Sequence, residues 1–266
     1  ALVSSSAVTS PLDCNNDFDG QITGSATGGS IPYTYSWNTG GTAALETGLG
    51  AGTYSITITD QNGCTDSAST IVTQPTALAS SAAVTSTLSC NGDADAQTTA
   101  SATGGTNPYT YSWNTGGTSA LETGLIANTY SVTITDQNGC TDSTSTIVTQ
   151  PAAFVASAVT NNNVSIYNGS DGQATGSATG GTGTYTYAWN TGGTAALETG
   201  LPVGTYSITL TDQNGCTDSA STIVTQPPAF GASTVVDANV SCNGLTDGSA
   251  TASPIGGTAP YTYTWS

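Results

Sequence analysis

Four residue types are missing from this 266-residue chain: lysine, arginine, histidine and methionine. Against them stand 17 Asp and Glu, a formal net charge of -17 at pH 7. Charged residues make up 6% of the chain, where a soluble protein ordinarily has about 25%. Without a cationic side chain there is no salt bridge between side chains, no Schiff base, no imidazole acid or base and no arginine clamp for phosphate. Most enzyme mechanisms fall with them. Nucleic acid and anionic membrane surfaces fall too, since their affinity is drawn from Lys and Arg. No apolar run reaches the 18 residues that a membrane span needs. No secretory leader opens the sequence, as expected of a mature chain or an internal fragment. The partners this composition leaves open are calcium, neutral glycans and further copies of the same chain.

What is present points to strands. There are 33 Gly, and Ser, Thr, Val and Ile are abundant, which suits many short strands with hydroxyl-bearing outer faces. The four tryptophans fall at 37, 113, 189 and 265, each 76 residues after the last, and Cys64, Cys140 and Cys216 keep the same interval. A fixed period with no insertion or deletion means tandem copies of one folding unit. Gln74-Pro75, Gln150-Pro151 and Gln226-Pro227-Pro228 read as short, stiff joints. They divide the chain into repeats at 1–75, 76–151, 152–227 and the first half of a fourth at 228–266. That half is expected either to continue beyond residue 266 or to be completed by a strand from another chain.

Within a repeat, Tyr33, Tyr35 and Trp37 share one face of a strand and Thr34 and Ser36 the other. Tyr54, Ile56 and Ile58 alternate with Ser55, Thr57 and Thr59 in the same way. Ile22, Gly24 and Ala26 point inward and leave room for an opposing tryptophan. Tyr35, Trp37, Tyr54, Trp113, Trp189 and Trp265 are therefore expected in the core, because a domain this small needs large buried rings. Leu49, Gly52 and Tyr54 look like the tyrosine corner of immunoglobulin-like sandwiches. Asn128 replaces Gly52 in the second repeat, which suggests a left-handed turn there. The predicted fold is all-β: a tandem array of immunoglobulin-like β-sandwich domains of about seven strands each.

The octapeptide DQNGCTDS stands unchanged at 60–67, 136–143 and 212–219. Its cysteine has no base or cation to activate it and no close Cys or His for zinc, which leaves a disulfide. Asn62 and Gly63 predict a tight turn that puts Cys64 at one pole of the sandwich, while Cys14 precedes the second strand at the other. The poles of such a sandwich lie about 25–30 Å apart, against a disulfide reach of about 6 Å between Cα atoms. Pairing between neighbouring repeats, Cys14 with Cys140 and Cys90 with Cys216, is favoured on that ground. Pairing within a repeat, Cys14 with Cys64 and Cys90 with Cys140, is the alternative.

The motifs Cys90-Asn91-Gly92, Gly104-Gly105, Pro108 to Gly117 and Leu125 to Thr141, with counterparts in the other repeats, closely resemble the SprB-type repeat. The resemblance implies a secreted cell-surface protein of the Bacteroidota, an adhesin of the gliding-motility type exported by the type IX system, and not an enzyme. Ile166, where the other repeats have cysteine, departs from it. Asp66-Ser67-Ala68, Asp142-Ser143-Thr144 and Asp218-Ser219-Ala220 resemble the O-glycosylation sequon of that phylum, so Ser67, Ser143 and Ser219 are candidate acceptors for covalent glycans. Asn15, Asp17 and Asp19, with Asn91, Asp93 and Asp95, have the alternate-oxygen spacing of a calcium loop but no glutamate at the twelfth position; a solvated acidic turn is the alternative. Glu46, Asp60 and Asp66 recur as carboxylates, yet a catalytic pair repeated in every bead is not expected. The sequence thus predicts an extracellular, cell-surface stalk or fibre region, with self-assembly into fibres a further expectation and a carbohydrate- or calcium-binding module the alternative.

Overall fold

The computed structural model describes all residues, Ala1–Ser266, and contains strands and no helix. Two compact units form. The first comprises Ala1–Thr87 and Ala94–Thr149, the second Leu88–Asp93 and Gln150–Ser266.

In the first unit, repeat one supplies β1 (Val3–Ser10), β2 (Gly20–Thr27), β3 (Thr34–Trp37), β4 (Leu45–Leu49), β5 (Gly52–Thr59) and β6 (Thr65–Val72). Repeat two supplies β7 (Ala79–Ser86), β8 (Ala96–Thr103), β9 (Thr110–Trp113), β10 (Leu121–Leu125), β11 (Asn128–Thr135) and β12 (Thr141–Val148). Each set makes two three-stranded antiparallel sheets, β1-β2-β4 with β3-β5-β6, and β7-β8-β10 with β9-β11-β12. In immunoglobulin terms these are strands A, B and E and strands C, F and G. The count is six and not seven. Only residues 38–44 separate β3 from β4, too few to hold a strand D and two turns.

The core lies between the sheets and follows the period-two pattern. Leu12, Ile22, Trp37, Leu49, Ile56, Ile58 and Val72 are buried together, with Tyr35 and Tyr54 half-buried against them. Trp37 crosses from β3 towards β2, where a Cβ on Gly24 would stand 3.3 Å from its ring. Its indole N–H donates to Ala43 O at 2.9 Å, and Trp113 makes the same bond to Ser119 O. The tyrosine corner is formed: Tyr54 O–H donates to Gly50 O and Tyr130 O–H to Ile126 O, each at 2.9 Å. Its left-handed residue is not the one expected. Gly52 and Asn128 open β5 and β11 without positive φ, whereas Gly48 (φ 73°) and Gly124 (φ 71°) are left-handed and form a bulge that shifts the β2–β4 and β8–β10 registers.

In the second unit, repeat three supplies β13 (Val155–Asn162), β14 (Gly172–Thr179), β15 (Thr186–Trp189), β16 (Leu197–Leu201), β17 (Gly204–Thr211) and β18 (Thr217–Val224), paired like the strands of repeats one and two. Val164, Ala174, Trp189, Leu201, Tyr206, Ile208, Leu210 and Val224 form its core. Repeat four holds only β19 (Gly231–Ala238) and β20 (Ser249–Ile255). Trp265 is a correction to the expected core set: it is 60% exposed, since no strand F or G of its repeat lies within residues 1–266 to cover it.

The sheets of each sandwich are also clipped along one edge. No backbone ladder joins β1 to β6. The Asp66 carboxylate instead accepts from Ser4 N–H at 2.7 Å and Ser4 O–H at 2.9 Å. Asp142 takes both groups of Ser80 at 2.7 Å, and Asp218 takes Ala156 N–H at 2.7 Å.

Candidate functional site

The octapeptide and the corner before strand B are the parts of the repeat that reach beyond it. The octapeptide is built around its first residue. Asp60 accepts Ser30 N–H at 3.0 Å through one oxygen, and Asn62 N–H and Cys64 N–H, both at 2.9 Å, through the other. Backbone bonds from Asp60 N–H to Cys64 O and from Gly63 N–H to Asp60 O, each 2.9 Å, close the loop. The connection is therefore a five-residue loop, Asp60 to Cys64, and not a two-residue turn at Asn62-Gly63. Asp136 and Asp212 repeat the arrangement with Thr106, Asn138 and Cys140, and with Thr182, Asn214 and Cys216. The left-handed Gly29 lets the neighbouring loop come close, for a Cβ there would stand 2.9 Å from an Asp60 oxygen.

The opposite half is the corner that begins at Cys14. Asp17 N–H donates to Cys14 O at 3.4 Å, and Asp93 N–H to Cys90 O at 3.3 Å. Each corner is braced against the Gln-Pro segment that ends its own repeat. Asn16 N–H donates to Gln74 Oε1 and Asn15 Nδ2 to Pro75 O; Gly92 N–H and Asn91 Nδ2 do likewise with Gln150 and Pro151.

Within the first unit, the corner of repeat one meets the octapeptide of repeat two. Cys14 and Cys140 are bridged with Cα atoms 5.7 Å apart, and Asn138 Nδ2 donates to Asp13 O at 3.0 Å. Within the second unit, the Leu88–Asp93 corner meets the octapeptide of repeat three in the same way: Cys90 bridges Cys216 at 5.7 Å and Asn214 Nδ2 donates to Ser89 O at 3.0 Å. Both bridges span 126 residues. The within-repeat alternatives are not formed, and Cys64 and Cys242 are free and exposed. At the corner of repeat three, Gly169 N–H still donates to Ile166 O at 3.0 Å. Ile166 there lines an open cleft with Tyr167, Pro227, Pro228, Phe230 and Tyr261.

The remaining candidates are placed as follows. No group of three or more acidic, Cys or His side chains is gathered to hold a metal. Asn15 and Asn91 point their amide nitrogens at the Pro75 and Pro151 carbonyls. Asp17 and Asp93 border shallow clefts beside the bridges. Glu46 accepts Thr39 O–H at 2.6 Å. Ser67, Ser143 and Ser219 lie on the outer face of strand G, exposed, with their hydroxyls 2.9–3.1 Å from Thr57, Thr133 and Thr209.

Backbone N–H groups set the carboxylates' acidity. That of Ser30, then that of Cys64, holds Asp60 below the usual carboxylate range. Ser4 N–H, then its hydroxyl, does the same for Asp66, and Ser80 for Asp142. Folding stability from these groups is present above their unfolded pKa, near 4, and is lost as pH falls through their lower folded values. Protonation also relieves mutual repulsion among the acids, but at 0.15 M salt that repulsion is screened beyond about 8 Å. With no His or Lys to titrate, the urea midpoint is expected to stay level from pH 5 to 8 and to fall below about pH 4; a midpoint that rises at pH 3 would contradict the assignment.

Fold and joints together define a tandem array of immunoglobulin-like β-sandwiches linked from one repeat to the next by disulfides. The SprB repeat family model matches three segments of the chain, residues 6–42, 82–118 and 234–266. No curated protein matches the chain. Among solved structures, it is similar to the mouse nectin-like molecule 4 ectodomain (Ig1–Ig3) at 9% identity and TM-score 0.33, covering 85% of this chain and 94% of that one. The N-terminal eight Ig domains of Down Syndrome Cell Adhesion Molecule match at 12% identity and TM-score 0.28, over 88% of this chain and 38% of theirs. Cadherin domains 3–6 of protocadherin gamma B2 match at 11% and 0.27, over 87% and 75%. Likenesses this distant place no partner or activity on the chain.

Proposed function

We propose that this chain is a load-bearing repeat region of an extracellular stalk or fibre, part of a cell-surface adhesin, with O-glycans on Ser67, Ser143 and Ser219. The observation that carries the reading is the joint. The octapeptides of repeats two and three each commit their cysteine and their asparagine to the preceding repeat, which suits holding repeats together. Two disulfides in one chain suit an oxidising, extracellular setting. The rival reading, a carbohydrate- or calcium-binding module, has less support: Trp37, Trp113 and Trp189 are buried, so these rings offer no platform to a sugar, and no acidic cage is assembled. The carboxylates that recur in each repeat, Asp60, Asp66 and Glu46 with their counterparts, accept hydrogen bonds that tie loops and strands of the fold together. Glycans on the outer face of strand G would hydrate a Ser/Thr surface that has few charges.

Two measurements test this. Small-angle scattering of the oxidised chain is expected to give an elongated particle, and a profile fitted by one compact globule would overturn the stalk. Intact mass of the chain from its native source is expected to exceed the polypeptide mass, with the excess lost in the Ser67→Ala, Ser143→Ala, Ser219→Ala triple variant. A mass equal to the polypeptide alone would remove the glycans from the proposal.

A further inference from the structure

Three consecutive residues of each bridged corner make three different links to the repeat that follows. In the first unit, the Asp13 carbonyl accepts from Asn138 Nδ2 at 3.0 Å, Cys14 is bridged to Cys140, and Asn15 Nδ2 donates to Pro75 O at 3.0 Å. In the second unit, Ser89, Cys90 and Asn91 do the same with Asn214, Cys216 and Pro151, the two hydrogen bonds measuring 3.0 and 2.9 Å. Only the middle link is covalent. The outer two are made by asparagine amides, one reaching from the octapeptide to the corner and one from the corner to the linker. A proline linker offers its carbonyl on a backbone of fixed φ, and Pro75 lies just ahead of β7, the first strand of repeat two. Asn15 therefore holds the residue beside Cys14 to the start of the repeat that carries Cys140.

The third corner separates what the turn needs from what the joint needs. Asparagine follows the corner cysteine at 15, 91 and 243, and where the cysteine gives way to Ile166 the next residue is Tyr167 and not asparagine. The turn is complete there all the same: Gly169 N–H donates to Ile166 O at 3.0 Å, and Asn168 N–H donates to Gln226 Oε1 at 2.9 Å, as Asn16 N–H does to Gln74. The glutamine brace thus belongs to the corner with or without sulfur, while the asparagine strap goes with the sulfur. We propose that Asn15 and Asn91 are positioning residues for disulfide closure: with Asn138 and Asn214 they hold the reduced joint in register, so that its two thiols meet at high effective concentration and pair between repeats. This goes beyond the stalk reading and holds whatever load the array bears. The chemistry of closure is exchange with a small-molecule disulfide as oxidant. One joint thiolate attacks that disulfide and releases a thiol; the other then attacks the mixed disulfide at the joint sulfur and releases a second. One disulfide is consumed, one is formed, and the two protons leave on the two small thiols.

The test uses the full chain carrying Cys64→Ser and Cys242→Ser, equilibrated in glutathione buffers, quenched by alkylation and read by mass spectrometry. Because the chain has no Lys or Arg, digestion must be at acidic residues and not with trypsin. Each joint then reports its own closure constant. Asn15→Ala is expected to lower that of Cys14–Cys140 about fivefold, the loss of one hydrogen bond, and to leave that of Cys90–Cys216 unchanged. Asn91→Ala should give the converse. Asn15→Asp is the sharper variant: it keeps the shape of the side chain but sets a carboxylate against the Pro75 carbonyl, and it should cost at least as much as alanine. A spacer or packing role would tolerate that isostere. Asn138→Ala should lower the Cys14–Cys140 constant about fivefold as well. Hydrogen exchange of the repeat-one core amides is expected to stay as it was; should Asn15→Ala speed it, Asn91→Ala decides the question at the second joint. Unchanged closure constants in the asparagine variants, or an equal fall at both joints from a substitution in one, would overturn the proposal.

Discussion

Stretched between its ends until every repeat has unfolded, the oxidised chain should stop roughly 530 Å short of the reduced chain, at about 3.5 Å per residue. The reason is the interlocking of the two bridges. Each spans 126 residues, and the Cys14–Cys140 loop overlaps the Cys90–Cys216 loop between Cys90 and Cys140. Tension entering at Cys14 can cross to Cys140, run back along about 50 residues to Cys90 and cross again to Cys216, bypassing about 150 of the roughly 200 residues between the outer cysteines. Either bridge alone, in Cys14→Ser or Cys90→Ser chains, shortens the final length by about 440 Å. The two are therefore strongly sub-additive. Within-repeat pairs would behave differently, each removing about 175 Å and the two adding to about 350 Å. Single-molecule extension with and without reductant reads the difference directly, and additive shortening would refute the observed pairing.

Exchanging one methyl group between facing core positions should destabilise repeat three when done on one side and be tolerated when done on both. Gly176 faces Ile208, and a Cβ on Gly176 would stand 2.3 Å from Ile208 Cδ1; Gly24 and Ile56 show the same 2.3 Å. Repeat two has the complementary solution, Ala100 with Val132, both buried. The missing methyl of the glycine is matched by the extra methyl of the isoleucine. Gly176→Ala alone overpacks the site at a cost of about 1–3 kcal/mol, and Ile208→Val alone leaves a gap costing about 0.5–1.5 kcal/mol. The double variant should recover most of both, giving a coupling of at least about 1 kcal/mol. Because an array need not unfold in one step, the readout is hydrogen exchange of the repeat-three amides in the full chain. Additive losses would show that the two positions do not share the space.

The parts of this fold that could be read from the sequence were those with a local period or a fixed geometric limit. Tyr33, Tyr35 and Trp37 announce their strand by alternation, and the corner tyrosines announce theirs by a Gly-Thr-Tyr or Asn-Thr-Tyr setting whose bonds the structure supplies. The absence of a strand D was equally present in the short segment 38–44, but a family template of seven strands conceals it. The role of Asp60 could not be read. Its partner Ser30 lies 30 residues away, and only the fold brings that loop over the carboxylate. The same holds for Asp66, whose invariance in the octapeptide looks like the first letter of a sugar sequon but whose oxygen is engaged by Ser4 at the far end of the repeat. Gly48 does not stand out in the sequence, because LETGL reads as an ordinary strand and a bulge appears only when the partner strand is in place.

Ile166 sets the third corner apart. Where the others have a sulfur, this one has a butyl group, 67% exposed, beside a cleft of prolines and aromatic rings. No oxidant or reductant can change its state, so no covalent latch can close at this corner, and redox conditions that open or shut the others leave it as it is.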